Sequence, residues 1–200
     1  MAYIDRNLRP FRQYSEHDVV NLFTLEARAG ETLPVNKGTL VSIISGAGWE
    51  ATDELTLETI HAEASTYNNT LSPRFAVQSK IHVHTGDATE TVYGLLLHDV
   101  RDKDENGELL VYNPRKAAEM QASVSGQVVP LVRKGLFLYD GFVTGAGSPA
   151  AAGNPVYLAA DGKMGSVPAV AGQSVQVGIA LGGMDTDGNI LIDFNPAAYA

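Results

Sequence analysis

The chain contains no cysteine among its 200 residues. This absence excludes disulfide bridges, thiolate metal sites and cysteine nucleophiles, so the hydrophobic core must supply the stability. No apolar run approaches the roughly 18 residues of a membrane-spanning helix, and no signal-peptide pattern follows Met1. We therefore expect synthesis in the cytoplasm and no membrane partner. Tryptophan occurs once and the eight tyrosines are scattered, which leaves few aromatic platforms for sugar rings.

Sequence motifs for catalysis and for phosphate binding are also missing. The chain has no Gly-x-Ser-x-Gly nucleophile turn and no His-Glu-x-x-His metal motif. Gly145-Ala146-Gly147 is not followed by the Gly-Lys-Ser/Thr of a phosphate-binding loop. We therefore expect no catalytic residues and no cofactor, and we predict that the protein is not an enzyme.

Positive charge is scarce in the chain as a whole. There are 14 Lys and Arg residues against 23 Asp and Glu residues, which gives a formal net charge of −9. An acidic surface repels the phosphates of nucleic acids and of anionic lipids. We therefore expect that nucleic acid is not a partner.

The N-terminal 16 residues differ from the rest because they combine basic and aromatic side chains. Three arginines are opposed by only two acidic residues, and no hydrophobic periodicity is present. We interpret residues 1–16 as an extended arm; the alternative is a frayed terminus. Arginine and aromatic side chains supply much of the energy of protein interfaces. The predicted contact residues of the arm are Arg6, Arg9, Phe11, Arg12 and Tyr14.

From Val19 onward the sequence shows short apolar or alternating runs between Gly, Pro, Asn and Asp residues, which is typical of β-strands. Residues 75–84 alternate at period two, and residues 91–100 follow a short Gly-containing turn, so a hairpin is predicted. Leu109–Tyr112 is interpreted as a further strand. Pro114 precedes a run of good helix formers that ends near residue 122, which predicts one short helix.

These patterns predict a mainly β fold, in the sense of a β-rich α+β protein. We expect three parts in chain order. The first is the extended N-terminal arm, and the second is a β-rich body with one short helix. The third is a C-terminal module built as a small β-barrel or sandwich, because its strands are short and closely spaced. The predicted bounds are 1–16, 17–124 and 125–200.

The acidic segment Asp102–Glu108 matches the first half of a calcium-binding loop. Its candidate ligands are Asp102, Asp104 and Asn106, but the glutamate expected at the twelfth position is Asn113. The alternative is an acidic hairpin turn at Asn106-Gly107, and we expect no metal site.

A second candidate for metal binding is a pair of histidines. His82 and His84 lie two residues apart on a predicted strand, so both rings are expected on one face. Such a pair can contribute to a zinc site; the alternative is two polar residues on the outer face, with Ile81 and Val83 inside.

The C-terminal region carries a pattern of strand and turn motifs. These motifs are Gly153–Leu158, Ala160–Lys163, Val177–Leu181 and Gly188–Phe194. The layout resembles that of the capsid decoration, or cement, proteins of tailed bacteriophages. Within it, Gly178 is expected to mark a bend or a close approach of two backbones. The stretch Arg9–Leu22 is similar to virion structural proteins of marine tailed phages.

This resemblance implies a structural virion protein that is made in the host cytoplasm. Such a protein binds the outer surface of an assembled phage capsid and stabilises it by bridging capsomers. The implied partners are the major capsid protein of the same phage and further copies of the chain in a homotrimer. The alternatives are another virion part, such as a head fibre base or a tail component, an enzyme with an unrecognised carboxylate pair, and a carbohydrate-binding β module.

Overall fold

The structure, a computed structural model, is mainly β, as the sequence predicts. It describes residues 9–10, 18–26, 33–45, 70–72, 75–76, 79–87, 89–142, 151–168 and 175–196. Within these ranges the α-helical structure is one short helix, α1, at Pro114–Glu119. The strands are β1 Arg9–Pro10, β2 Val19–Leu25, β3 Leu40–Ile43, β4 Thr70–Ser72, β5 Phe75–Ala76, β6 Lys80–Val83, β7 Gly94–Leu96, β8 Asp99–Val100, β9 Ala122–Ser123, β10 Val128–Val132, β11 Gly135–Tyr139, β12 Pro155–Leu158, β13 Met164–Gly165, β14 Gln176–Ala180 and β15 Ile190–Phe194.

Five strands form a closed barrel in the order β10-β2-β6-β3-β7. The ring closes because β7 also pairs with β10. The β2–β6 pair is parallel and the other pairs are antiparallel. Closure leaves no free sheet edge in the barrel, which removes a surface on which other chains can add strands.

Six strands form a second sheet in the order β1-β11-β15-β14-β12-β13, and every neighbouring pair is antiparallel. Phe142, just beyond β11, makes a parallel bridge with Met164 of β13. The two sides of the sheet therefore curl toward each other into a half-barrel. Two further pairs of short strands, β4–β5 and β8–β9, complete the described β-structure.

Strand pairing crosses both of the boundaries expected from the sequence. Strand β10 lies after residue 124, yet it completes the barrel with β2 and β7. Strand β1 lies within the expected arm, and it pairs with β11 of the same chain. The three parts expected from the sequence are thus joined to one another through backbone hydrogen bonds between strands.

Side-chain alternation divides the core of the protein into two clusters. Successive residues of a strand point to opposite faces. Val41, Leu96 and Leu131 belong to a cluster that draws on all five barrel strands and fills the barrel. Their neighbours on the opposite face belong to a second cluster, which includes the buried residues of the second sheet. These neighbours are Leu40, Leu95 and Val132.

Two glycines lie where backbone segments come very close together. A Cβ on Gly178 would overlap the carbonyl oxygen of Asp193 in the neighbouring strand β15, which confirms the predicted close approach. Gly162 has a φ of +64° and lies in the turn before β13. A Cβ there would lie 2.6 Å from the carbonyl oxygen of Leu40. This turn therefore packs directly against strand β3 of the barrel.

Helices in the described ranges are too short and too polar to cross a lipid bilayer.

Candidate functional site

A cleft of about 340 Å³ opens at the side of the barrel, between the end of β3 and the segment that leads into β7. Strand β6, which pairs with β3, supplies one further lining residue. The lining combines hydroxyl, carboxylate and imidazole groups with one aliphatic and one aromatic side chain. Its members are Ile43, Ser45, His82, Thr89, Glu90, Thr91 and Tyr93.

The loop that carries Glu90 folds over a buried histidine. His84 is fully buried, and its Nδ1 accepts a hydrogen bond of 2.9 Å from the backbone N–H of Gly86. Because Nδ1 is an acceptor, the ring proton of the neutral imidazole lies on Nε2. Nε2 then donates to the carbonyl oxygen of Glu90 at 3.0 Å. The imidazole thereby fixes both ends of the loop.

The outer-face position predicted for His84 is therefore wrong. His84 directly follows β6, and its backbone N–H still donates to the carbonyl oxygen of Leu40 in β3 at 3.0 Å. His84 therefore lies opposite Leu40, on the face of the barrel that packs against the second sheet. His82 lies within β6 and is half-buried, whereas Ile81 and Val83 point into the barrel as predicted.

A tight turn within the same loop directs Thr89 and Glu90 toward the cleft. The Asp87 carboxylate accepts a hydrogen bond of 3.0 Å from the backbone N–H of Thr89. The backbone N–H of Glu90 donates to the carbonyl oxygen of Asp87 at 3.2 Å. Gly86 permits the turn because its φ is +97°, a region that side-chain-bearing residues rarely occupy.

Three further contacts fix the charged and aromatic groups of the cleft. The Nε2 atom of His82 lies 3.4 Å from the Oε2 atom of Glu90, and both side chains are mostly shielded from water. The ring of Tyr93 packs edge-on against Phe23 at a centroid distance of 5.1 Å. The guanidinium of Arg133 lies 5.3 Å from the Tyr93 ring centroid, within the range of a cation–π contact.

The acidic segment Asp102–Glu108 forms a hairpin turn, as the alternative interpretation has it. Lys103 and Leu109 form an antiparallel bridge, and Gly107 takes a φ of +86°. The Oδ1 atom of Asp104 accepts hydrogen bonds of 2.8 Å from the backbone N–H groups of Asn106 and Glu108. Its Oδ2 atom accepts a hydrogen bond from the Lys116 ammonium. Both carboxylate oxygens are thus bonded within the protein.

The other two candidate metal ligands differ in their surroundings. An Asp102 carboxylate oxygen accepts a hydrogen bond of 3.2 Å from the backbone N–H of Ser125, and Asn106 is exposed. In the part of the chain that the structure describes, no group of three or more His, Asp or Glu side chains is placed to hold a metal ion. Hydrogen bonds and one ion pair account for the hairpin.

The Asp104–Lys116 pair gives the hairpin an acid-sensitive stability. The hydrogen bond from Lys116 lowers the pKa of Asp104, and the two backbone N–H groups act in the same direction against the effect of burial. A carboxyl whose pKa is lower in the folded state than in the unfolded state stabilises the protein at pH values above its ordinary pKa near 3.8. This stabilisation is lost as the pH falls through the lower pKa of the folded state.

The free energy of unfolding of the wild type should fall as the pH is lowered from about 5. We expect a smaller fall for Asp104→Asn, because the substituted side chain no longer titrates. Urea denaturation at a series of pH values measures this slope. Asn106→Ala is the matched control in the same turn, because it keeps the carboxylate and both backbone donors, and it should retain the wild-type slope. Identical slopes for wild type and Asp104→Asn would contradict the prediction.

The predicted arm contacts fall mostly outside the described residues. Arg9 forms strand β1 with Pro10, and its Cα pairs with that of Leu138. The other four predicted contact residues lie outside the described ranges; they are Arg6, Phe11, Arg12 and Tyr14.

A surface feature that sequence reasoning missed lies between the acidic hairpin and α1. Leu109, Val111 and Tyr112 are exposed, by 83% in the case of Tyr112. We call these three residues the apolar strip. Leu110 points the other way and packs with α1 and β9 in a small buried cluster.

The strand predicted at Leu109–Tyr112 is wrong, because residues 110–112 form a 3-10 turn. Asn113 then caps α1, its side chain accepting a hydrogen bond of 3.2 Å from the N–H of Lys116. The helix begins at Pro114, as predicted, and ends at Glu119, earlier than expected. The sequence did carry a signal for these exposed side chains. Leu109–Tyr112 are four consecutive apolar residues, so they show no alternation, and they directly precede a capped helix.

A scan of protein-family models and a search of the curated proteins both found no match to this chain. The resemblance to phage decoration proteins therefore depends on the strand and turn motifs of the C-terminal region.

Proposed function

We propose that the chain is a structural virion protein, not an enzyme, that binds the outer surface of an assembled phage capsid. It stabilises the shell by bridging neighbouring capsomers, and its partners are the major capsid protein and further copies of itself in a homotrimer. The resemblance of the C-terminal motifs suggests this function. The structural observation that supports it is the exposed apolar strip, which the buried cluster around Leu110 holds in place.

The apolar strip is held in place by contacts beneath and beside it. Leu110 anchors the segment in the small cluster that includes Ala117 and Val124. The ion pair between Asp104 and Lys116 ties the hairpin on one side to the helix on the other. A surface that is already ordered loses little conformational entropy when a partner binds.

The chemistry of the strip suits contact with a protein. Tyrosine offers a large, rigid contact area with few rotatable bonds, and exposed aliphatic neighbours add apolar area. Glu105 and Glu108 are exposed in the adjoining hairpin. We therefore expect the capsid surface to present an apolar recess with basic residues at its rim, because charge complementarity selects the partner and the orientation.

A chain that binds the assembled lattice more tightly than the free subunits stabilises the capsid. A protein that binds one state of its partner shifts the equilibrium toward that state by mass action. Contacts with adjacent capsomers through two surfaces, the strip and the N-terminal arm, would add avidity without requiring either contact to be tight.

The test is co-sedimentation of the purified chain with assembled heads of the phage that encodes it, and with its unassembled capsid subunits. We expect the wild type to pellet with heads and not with subunits. The double variant Val111→Ser/Tyr112→Ser should bind heads at least about tenfold more weakly, the size expected for loss of a central aromatic anchor. The matched control is Val167→Ser/Leu181→Ser, which replaces exposed apolar residues elsewhere.

Three results would count against the proposal. Equal affinity for heads and free subunits would show that the chain does not prefer the assembled lattice. Unchanged head binding of the strip variant would show that the apolar strip does not contact the capsid. Association with tails in place of heads would favour the alternative of a tail or fibre component. Light scattering of the purified chain tests the predicted trimer independently.

A further inference from the structure

The capsid-binding proposal leaves the cleft beside the barrel unused. We infer that this cleft binds one neutral sugar residue, such as the terminal hexose of a glycan. The inference rests on the cleft alone and is independent of the proposed capsid contact.

The size of the cleft fits a ligand of this class. Its volume of about 340 Å³ lies at the lower end of the range of small-molecule sites, which begins near 300 Å³. A single sugar ring fits such a space, whereas an extended peptide or a nucleotide needs a longer groove.

The polar lining can hydrogen-bond to adjacent hydroxyls. The Glu90 carboxylate is an acceptor, and the Ser45, Thr89 and Thr91 hydroxyls can each donate and accept. Hydrogen bonds to a carboxylate are stronger than those between neutral groups. A sugar presents several donors and acceptors within a few ångströms, which is the pattern that this set of groups complements.

The apolar lining completes the match. Ile43 is partly exposed at the end of β3, and Tyr93 lines the same cleft. The C–H faces of a sugar ring can pack on such side chains. Because Phe23 and Arg133 already hold the Tyr93 ring, the aromatic wall is in place before a ligand arrives.

The charge of the cleft favours a neutral occupant over a charged one. Glu90 lies beside His82, so a basic group already neighbours the carboxylate at 3.4 Å. An ammonium ligand would have to compete with this imidazole. An anionic sugar would meet the carboxylate directly and be repelled.

The cleft is also preorganised by the buried histidine below it. His84 joins the N–H of Gly86 to the carbonyl of Glu90, and the Asp87 turn fixes Thr89. The loop backbone is therefore ordered without a ligand, which lowers the entropy cost of binding.

Saturation-transfer NMR on the full chain tests the inference. The probes are the methyl glycosides of glucose, galactose, mannose and N-acetylglucosamine, with glucuronate and glucosamine as charged comparisons. We expect ring-proton saturation and millimolar affinity for at least one neutral glycoside, and weaker signals for both charged sugars. Glu90→Gln and Thr91→Val should each weaken that glycoside about tenfold, the effect of one lost hydrogen bond to a charged or well-placed group.

The controls separate this site from other surfaces and from the proposed function. Glu108→Gln removes an acidic group outside the cleft and should leave sugar affinity unchanged. Head binding of Thr91→Val should equal that of wild type, so a failure of one proposal does not decide the other. Circular dichroism checks that each variant is folded.

Three results would overturn the inference. The first is the absence of saturation for all four neutral glycosides. The second is an affinity that neither cleft substitution changes, which would place the sugar elsewhere. The third is tighter binding of glucosamine than of any neutral sugar, which would make the cleft a cation site.

Discussion

Leu95→Ala is expected to lower the free energy of unfolding by about 3 kcal/mol, within the range measured for fully buried leucines. Leu95 is 0% exposed and pairs with Leu40 of β3 on one side and Val132 of β10 on the other. All three side chains pack against the second sheet. The substitution therefore leaves a cavity where the barrel and the second sheet meet.

Both sheets should unfold in a single transition in this variant, because they share one cluster of buried residues. Urea denaturation gives the free energy, and native-state hydrogen exchange at Val41 and Ile192 reports the barrel and the second sheet separately. Leu181→Ala is the matched control; Leu181 is 45% exposed, and the expected loss is below about 0.5 kcal/mol. Exchange that accelerates in one sheet alone would show two independently folding units.

Gly162→Ala is expected to cost about 3 kcal/mol. Part of the cost is the positive φ of +64°, which raises the energy of an alanine by roughly 1 kcal/mol. The remainder is steric, because the new methyl group would meet the Leu40 carbonyl and the Thr39 side chain at 2.6 Å. Such overpacking against backbone typically costs about 1–3 kcal/mol.

Gly153→Ala separates these two contributions. Gly153 has a φ of +83°, but a Cβ there would have no atom within 4 Å. The control should therefore lose only the backbone contribution, about 1 kcal/mol. Thermal and urea denaturation of both variants measure the difference. Equal losses of unfolding free energy in the two variants would mean that the turn before β13 does not pack against the barrel in solution.

The sequence predicted local features where the signal depends on a few neighbouring residues. Pro114 predicts the start of α1, and the structure has the proline at the first position of the helix. Asn106-Gly107 predicts the acidic hairpin, and Gly107 takes the positive φ that such a turn requires. These features could be predicted because they are decided within a few residues along the chain.

The errors occur where a distant segment decides the outcome. Leu109–Tyr112 has the composition of a strand, but the described structure gives it a 3-10 turn that buries only Leu110, in a cluster with α1 and β9. His84 lies opposite Leu40 of β3, on a face of the barrel that is buried and not outward. Local alternation cannot indicate which face of a strand another part of the chain will cover.

The candidate sugar cleft shows the same dependence on tertiary structure. Its lining comes from residues 43–45, from His82 in β6 and from residues 89–93. The barrel pairing of β3 with β6 and β7 brings these segments together. In sequence, the same residues are three with hydroxyl groups, one glutamate, one histidine, one isoleucine and one tyrosine, and they form no common motif.

The sequence by itself determined that the chain is mainly β, where its helix starts, and the special backbone roles of Gly107 and Gly178. These properties follow from the φ/ψ preferences and the side-chain alternation of a few consecutive residues. Only the tertiary structure decided that the barrel takes β10 from beyond residue 124, and that Leu40, Leu95 and Val132 join it to the second sheet. Strand pairing connects residues far apart in sequence, and the choice of partner depends on the total surface that all the strands bury together.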